Sequence, residues 1–286
     1  MKIAAFRYEN APRLGVVSPD GRYVRPLSID FDRLPDGLLG LIAWLQSGGE
    51  VPPAGQPLPL DQVELQAPFS RFRRNLWCVG RNYRAHAKEL AGSVFQGQQD
   101  DGWPIVFTKV PEAVVGPCAE VRLPTDVSEQ IDYEAELAVV IGRGGRNIGR
   151  AEAMQHVFGY TIVNDVTARD VQMRHQQWDL GKNFDGFCPV GPWVVTADEL
   201  DGRDTRVRCW VNGELRQDGR TADMIFDIPT LIETVSRGIT LHPGDVIATG
   251  TPAGVGMGLK PARWLRRGDV VRIEVDGIGT IENCFI

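Results

Sequence analysis

The sequence predicts an α+β fold that is mainly β. Three observations carry this. From residue 65 onward, short runs rich in β-branched and aromatic residues alternate with Gly and Pro. Few segments show helical spacing. Hairpin-type turns stand between apolar runs at Val211-Asn212-Gly213-Glu214 and Val275-Asp276-Gly277-Ile278. A doubly wound sheet would instead alternate strands with long helices.

The elements follow in chain order. Lys2 to Tyr8 and Leu14 to Val17 read as paired strands, with a turn at Asn10-Ala11-Pro12 and another turn signal at Asp20-Gly21. Leu38 to Gln46 is apolar at helical spacing and stops at Gly48-Gly49. Val51 to Pro59 holds four prolines and reads as a linker. The expected division is therefore a small unit over 1–65 and a larger one over 66–286.

In the larger unit, expected strands are Leu76 to Val79, Ile105 to Thr108, Glu136 to Ile141, Val157 to Asn164, Trp193 to Thr196, Arg206 to Val211, Val246 to Thr249 and Val270 to Val275. Two short helices are expected. One runs from Asn82 to about Ala91. The other runs from Asp227 through Arg237, with an Asp cap, an early Pro and Gly238 at its end. Gln96 to Gly102 is a polar loop. No repeat or low-complexity tract is present.

Bulk properties narrow the function. The chain has 286 residues, 43% hydrophobic and 24% charged, which is ordinary for a globular protein. A net charge of −6 argues against a general nucleic-acid or anionic-membrane binder. The first residues lack the apolar core of a secretory signal, and no apolar run reaches membrane-spanning length. The five cysteines are dispersed, as reduced thiols of a cytoplasmic protein would be. The four histidines are too scattered for a His-rich metal site.

The chemistry starts at Ile131-Asp132-Tyr133-Glu134-Ala135-Glu136-Leu137-Ala138-Val139-Val140-Ile141-Gly142. Side chains two apart on a strand share a face, so Glu134 and Glu136 project together. The apolar run beyond them is continuous, as in a strand covered on both faces. Neighbouring carboxylates on a covered face need a cation. The strand alone also permits a polar end in water. Asp165 ends a second apolar run and is either a third oxygen ligand or a turn residue. Three carboxylates without Cys or His suit Mg²⁺ or Mn²⁺ better than zinc.

His86 and Glu89 stand three apart on the first helix of the larger unit, so they meet on one face. They are either a surface pair or a general base with its orienting carboxylate. Lys182 lies in an irregular stretch, either solvated or placed to stabilise an anion. Gly250-Thr251-Pro252-Ala253-Gly254-Val255-Gly256-Met257-Gly258 is a plain turn or a carboxylate cradle. It lacks the ending of a phosphate loop and the context of a dinucleotide fingerprint.

Taken together, Tyr83-Arg84-Ala85-His86-Ala87-Lys88-Glu89, Asp132 to Gly142, Asn164 to Gln172, Gly181 to Asp185 and Pro243 to Gly256 closely resemble the fumarylacetoacetate hydrolase family. The resemblance covers about residues 68–286. The leading 65 residues resemble the small N-terminal domain of many bacterial members. The resemblance implies a mixed β-roll and a homodimer. It implies one Mg²⁺ or Mn²⁺ on Glu134, Glu136 and Asp165. It makes His86 and Glu89 a water-activating dyad on a lid, and Lys182 the active-site lysine. Thr251 falls in the substrate loop, and Arg169, Gln172 and Lys109 fall in substrate-binding motifs. Leu90 to Trp103 departs from the family pattern in being long, Gln-rich and acidic.

The expected activity is hydrolysis of a C–C bond in a β-diketo acid such as an acylpyruvate, giving a 2-oxo acid and a second acid. The alternative keeps the small 2-oxo acid substrate but changes the reaction, to decarboxylation, hydration or isomerisation of a 2-oxo diacid, or a ureidoglycolate-type lyase. A non-enzymatic, metal-stabilised binding module is the third reading.

Overall fold

The computed structural model describes residues 1–29, 36–89, 102–174 and 177–286. Residues 90–101, the bulk of the expected substrate-covering stretch, lie outside them. So do His175 and the expected end of the first helix near Ala91.

Among the described residues the main sheet has 12 strands. Its path runs through Leu58–Pro59, Tyr23–Pro26, Ala11–Val17, Lys2–Tyr8, Cys188–Thr196, Val157–Asn164, Ala135–Ile141, Val246–Ala248, Leu76–Gly80 and Ile105–Lys109. Glu64–Leu65 pairs beside Lys2–Tyr8, and Val114–Val115 beside Cys188–Thr196. Most neighbours are antiparallel, whereas Val246–Ala248 runs parallel to Leu76–Gly80. A four-stranded sheet of Glu214–Arg220, Arg206–Val211, Val270–Val275 and Gly279–Cys284 packs against it. This is the mixed, mainly β roll expected, with short helices at its margins.

The strand Ala135–Ile141 is buried along its whole length. Leu137, Val139 and Ile141 enter one core cluster, Ala138 and Val140 another. Both faces are covered, which explains the absence of polar alternation. The ladder to Val157–Asn164 sets Ala135 opposite Asn164. That register brings Asp165, the next residue, beside Glu134 and Glu136.

The N-terminal residues join this frame. Ile3 pairs with Val194, so the expected small unit hydrogen-bonds into the same sheet as the larger one. Leu41 and Ile42 of the helix Leu38–Gln46 share a core cluster with Ala138 and Val140. The first turn differs from expectation. Glu9 and Asn10, both at positive φ, form the two-residue loop, and Ala11 and Pro12 already belong to the second strand. The expected linker is also partly ordered by pairing, because Leu58–Pro59 lies at a sheet edge, where proline is tolerated.

The strand expected from Trp193 begins earlier, at Cys188. Pro189 and Pro192 lie inside it, and the ladder to Val157–Asn164 shifts register between Gly191 and Val195, which accommodates Pro192. Two short helices were not expected: Arg169–Arg174 and Asp179–Lys182. The helix Ile228–Ser236 has the expected cap, with Thr230 N–H donating to Asp227. Among the described residues no helix is long and apolar enough to cross a membrane.

Candidate active site

One carboxylate oxygen from each of Glu134, Glu136 and Asp165 lies within 4.8 Å of the others, and all three residues are buried. The strand start supplies the first two, and the end of its neighbour supplies the third. Asp165 is pinned by its own N–H, which donates to the Glu134 carbonyl (2.9 Å). Asn164 Oδ1 accepts from the Glu134 N–H (3.1 Å).

Cations crowd this triad. Lys182 Nζ donates to Glu134 Oε2 (2.8 Å) and Asp165 Oδ2 (2.7 Å). Arg169 Nη2 lies 2.7 Å from Glu134 Oε1, and its Nε donates to Asp132 Oδ2 (2.9 Å). Gln172, one helical turn on, accepts from Arg169 Nη1 (3.2 Å). Lys109 Nζ donates to Asp165 Oδ1 (2.7 Å), to the Val166 carbonyl (3.0 Å) and to the Lys182 carbonyl.

Glu136 stands apart. Among the described residues it has no ion pair, and its side-chain bond comes from the Gly250 N–H (2.8 Å). Burial pushes its carboxyl well above the usual range, and the charges of Asp165 and Glu134 push it further. Burial works against ionised Glu134 too, but Lys182 and Arg169 outweigh it and hold that carboxyl low. Burial likewise opposes the Lys182 ammonium, which Asp165 and Glu134 hold above the ordinary lysine range. A buried set of three hard oxygens with one carboxylate so poorly compensated fits a divalent cation.

His86 projects from the helix Arg84–Glu89 into the same small cavity as Glu134, Glu136, Arg169, Lys182 and Thr251. Its Nδ1 lies 3.1 Å from Glu89 Oε2. A carboxylate only accepts, so Nδ1 carries the hydrogen and Nε2 is left to exchange a proton. Glu89 is held in turn by the Gly254 N–H (3.0 Å to Oε1). The approach is close: a Cβ on Gly258 would stand 2.1 Å from Glu89 Cδ.

Thr251 lines the cavity, but its hydroxyl donates to the Ala135 carbonyl (2.9 Å) and accepts from Gln217 (2.7 Å). Lys109 sits behind Asp165 and is not among the cavity's lining residues. Buried Cys78, Cys188 and Cys209 are free, and burial raises each thiol, Cys188 to about 12.

Two residues escaped the sequence reading. Fully buried Gln217 accepts from the Ala135 N–H (3.0 Å) and donates to Thr251 and to the Pro252 carbonyl (2.8 Å), tying the ligand-bearing strand to the Gly-rich loop. Nothing in Glu214–Arg220, an otherwise polar strand, marks it. Asp132 accepts from the Gly256 N–H (2.7 Å), the Met257 N–H (3.0 Å) and Arg169. Its place in an apolar run beside the glutamates was an available signal.

With this geometry in view, similarity to known proteins becomes informative. The fumarylacetoacetate (FAA) hydrolase C-terminal family matches residues 75–286. The chain belongs to the fumarylacetoacetate hydrolase family. The oxaloacetate tautomerase YisK of Bacillus subtilis (strain 168) is 49% identical over 225 residues, spanning 78% of this chain and 73% of that protein. The solved fumarylacetoacetate hydrolase of Exiguobacterium antarcticum is 42% identical, with a TM-score of 0.86 over 100% of this chain and 99% of its own. A maleylpyruvate hydrolase from Sphingobium sp. SYK-6, solved with manganese(II) and pyruvate, is 31% identical, with a TM-score of 0.80 over 100% and 99%. A family member solved with a divalent metal thus accompanies the acidic triad of this chain.

Proposed function

We propose that the protein is a divalent-metal-dependent isomerase of a small 2-oxo diacid, acting as a keto–enol tautomerase on an oxaloacetate-type substrate. The observation that carries this is one cavity that joins the acidic triad to an oriented imidazole, in a chain 49% identical to an oxaloacetate tautomerase. Glu134, Glu136 and Asp165 would hold Mg²⁺ or Mn²⁺, which supplies Lewis-acid polarisation of the keto group.

The protein's own groups do the rest. Arg169 and Lys182 face the 2-oxo acid and offset negative charge as it develops on the C2 oxygen. His86 Nε2 takes the proton from C3, and Glu89 stabilises the imidazolium that forms. Returning that proton to C3, or releasing it for the oxygen, interconverts keto and enol. Gln172 fixes the Arg169 guanidinium, Lys109 fixes Asp165, and Thr251 keeps the loop against the Ala135 carbonyl.

Purified protein with Mn²⁺ should interconvert the tautomers of oxaloacetate, followed by loss of enol absorbance, without releasing pyruvate. His86→Asn should slow this by about 10²–10⁴-fold while retaining the Mn²⁺-induced thermal shift. Release of pyruvate and carbon dioxide would instead identify a decarboxylase.

The hydrolytic reading rests on the His86–Glu89 pair, which can equally activate water, and on the similarity to the maleylpyruvate hydrolase. Its signature is two carboxylic acids released from an acylpyruvate, identified by mass. We also propose a division near residue 65 within the shared sheet, a homodimer and a cytoplasmic location, which limited proteolysis, sedimentation and fractionation test in turn.

A further inference from the structure

Among the described residues, the cations lining the cavity fall into two kinds. Arg169 and Lys182 are already paired with Asp132, Glu134 and Asp165. Arg81 is not. It lines the same cavity and is half-buried, and its Nε is shielded from solvent without a hydrogen-bond partner. The Nε atoms of Arg13, Arg208 and Arg216 are shielded and unpartnered too, but of these four arginines Arg81 alone lines the cavity.

Its backbone strengthens the point. Arg81 sits at φ +54°, a left-handed conformation that residues with a side chain rarely adopt. The neighbouring residues impose it. A Cβ on Gly80 would stand 2.3 Å from the Trp178 ring, so the chain runs hard against that indole. Asn82 donates to the Thr249 carbonyl (2.8 Å) and the Phe226 carbonyl (2.9 Å), and accepts from the Phe226 N–H (2.8 Å). A strained residue held by its surroundings and facing a site points to function.

We infer that Arg81 is a specificity-determining residue that receives the second carboxylate of a dicarboxylic 2-oxo acid. The inference rests on the reading above, in which the 2-oxo acid end occupies the triad. The distal carboxylate then carries a negative charge that Arg169 and Lys182 do not compensate. A planar guanidinium meets a carboxylate through two parallel hydrogen bonds, which a monoacid or an ester cannot reproduce. Arg81 thereby separates diacids from monoacids of the same length.

The test uses binding, so it does not depend on turnover. Malate and 2-hydroxybutanoate share the 2-hydroxy acid end and differ at the distal carboxylate. Calorimetry on the Mn²⁺-loaded protein should show a preference for malate on the order of tenfold or more. Arg81→Gly, which suits the left-handed backbone, should reduce that preference to about unity. Arg81→Asn should behave alike, and an intact Mn²⁺-induced thermal shift confirms that both variants fold. No preference in the wild type, or an unchanged preference in the variants, overturns the assignment. A wild type that prefers malate but fails to tautomerise oxaloacetate overturns the isomerase reading and leaves Arg81 in place.

Discussion

Glu136 is the least compensated of the buried carboxylates, and this has a measurable consequence. Without a cation its carboxyl keeps a proton to higher pH in the folded protein than in the unfolded chain. The stability that this contributes is present at low pH and lost as pH rises through the raised folded range. Glu136→Gln should flatten that decline. Near neutral pH it should raise the melting temperature of the metal-free protein by about 2–4 °C per kcal/mol relieved. The same variant should lose the Mn²⁺-induced rise in melting temperature. A rise equal to the wild type's would remove Glu136 from the ligand set. Glu134 differs because Lys182 and Arg169 already hold its charge, so the two glutamates of one strand face are not equivalent.

The Gly-rich loop is the element that sets the acid–base machinery. Gly254 donates to Glu89, Gly256 to Asp132 and Gly250 to Glu136, so one loop fixes three carboxylates. Gly258→Ala should displace Glu89 and with it the imidazole, lowering kcat by about 10²-fold with metal binding unchanged, as steady-state kinetics and a Mn²⁺ titration would show. An unchanged kcat would mean that Glu89 does not orient His86. Some elements were legible in the sequence. Val157–Asn164, Arg206–Val211 and Leu38–Gln46 have the expected ends, because local periodicity and turn residues bound them. The helices at Arg169 and Asp179, six and four residues long, are too short to show a period and are fixed by tertiary bonds. The grouping of Glu134, Glu136 and Asp165 was legible through the family resemblance, because the apolar runs alone also allowed a wet strand end and a turn residue. Gln217 and Arg81 were not, since their significance comes from what a distant chain segment places beside them.

At the scale of the molecule, the N-terminal residues and the catalytic strand share one sheet and one core. The face that bears Glu134 and Glu136 continues into Ala138 and Val140, which cluster with Leu41 and Ile42. Ile42→Ala should therefore cost about 2–5 kcal/mol, measured by urea denaturation, and should loosen the support behind the ligand-bearing strand. A cost below 1 kcal/mol, of the kind found for exposed positions, would show that the helix Leu38–Gln46 does not complete that core. Register carries the design at this scale. Ala135 opposite Asn164 delivers Asp165 to the glutamates, and a slip of one residue would turn the glutamates toward the opposite face.

Around the triad, buried Asp132, Glu134, Glu136 and Asp165 face buried Lys109, Arg169 and Lys182, with half-buried Arg81 as a fourth cation at the cavity. With Glu136 ionised the four charges of each sign balance. A balanced site gives a dianion little net attraction. A divalent cation tips the sign to positive. Electrostatics then favours the ion entering first and the organic acid second. A chelator would act as a gatekeeper on substrate entry as well as on turnover.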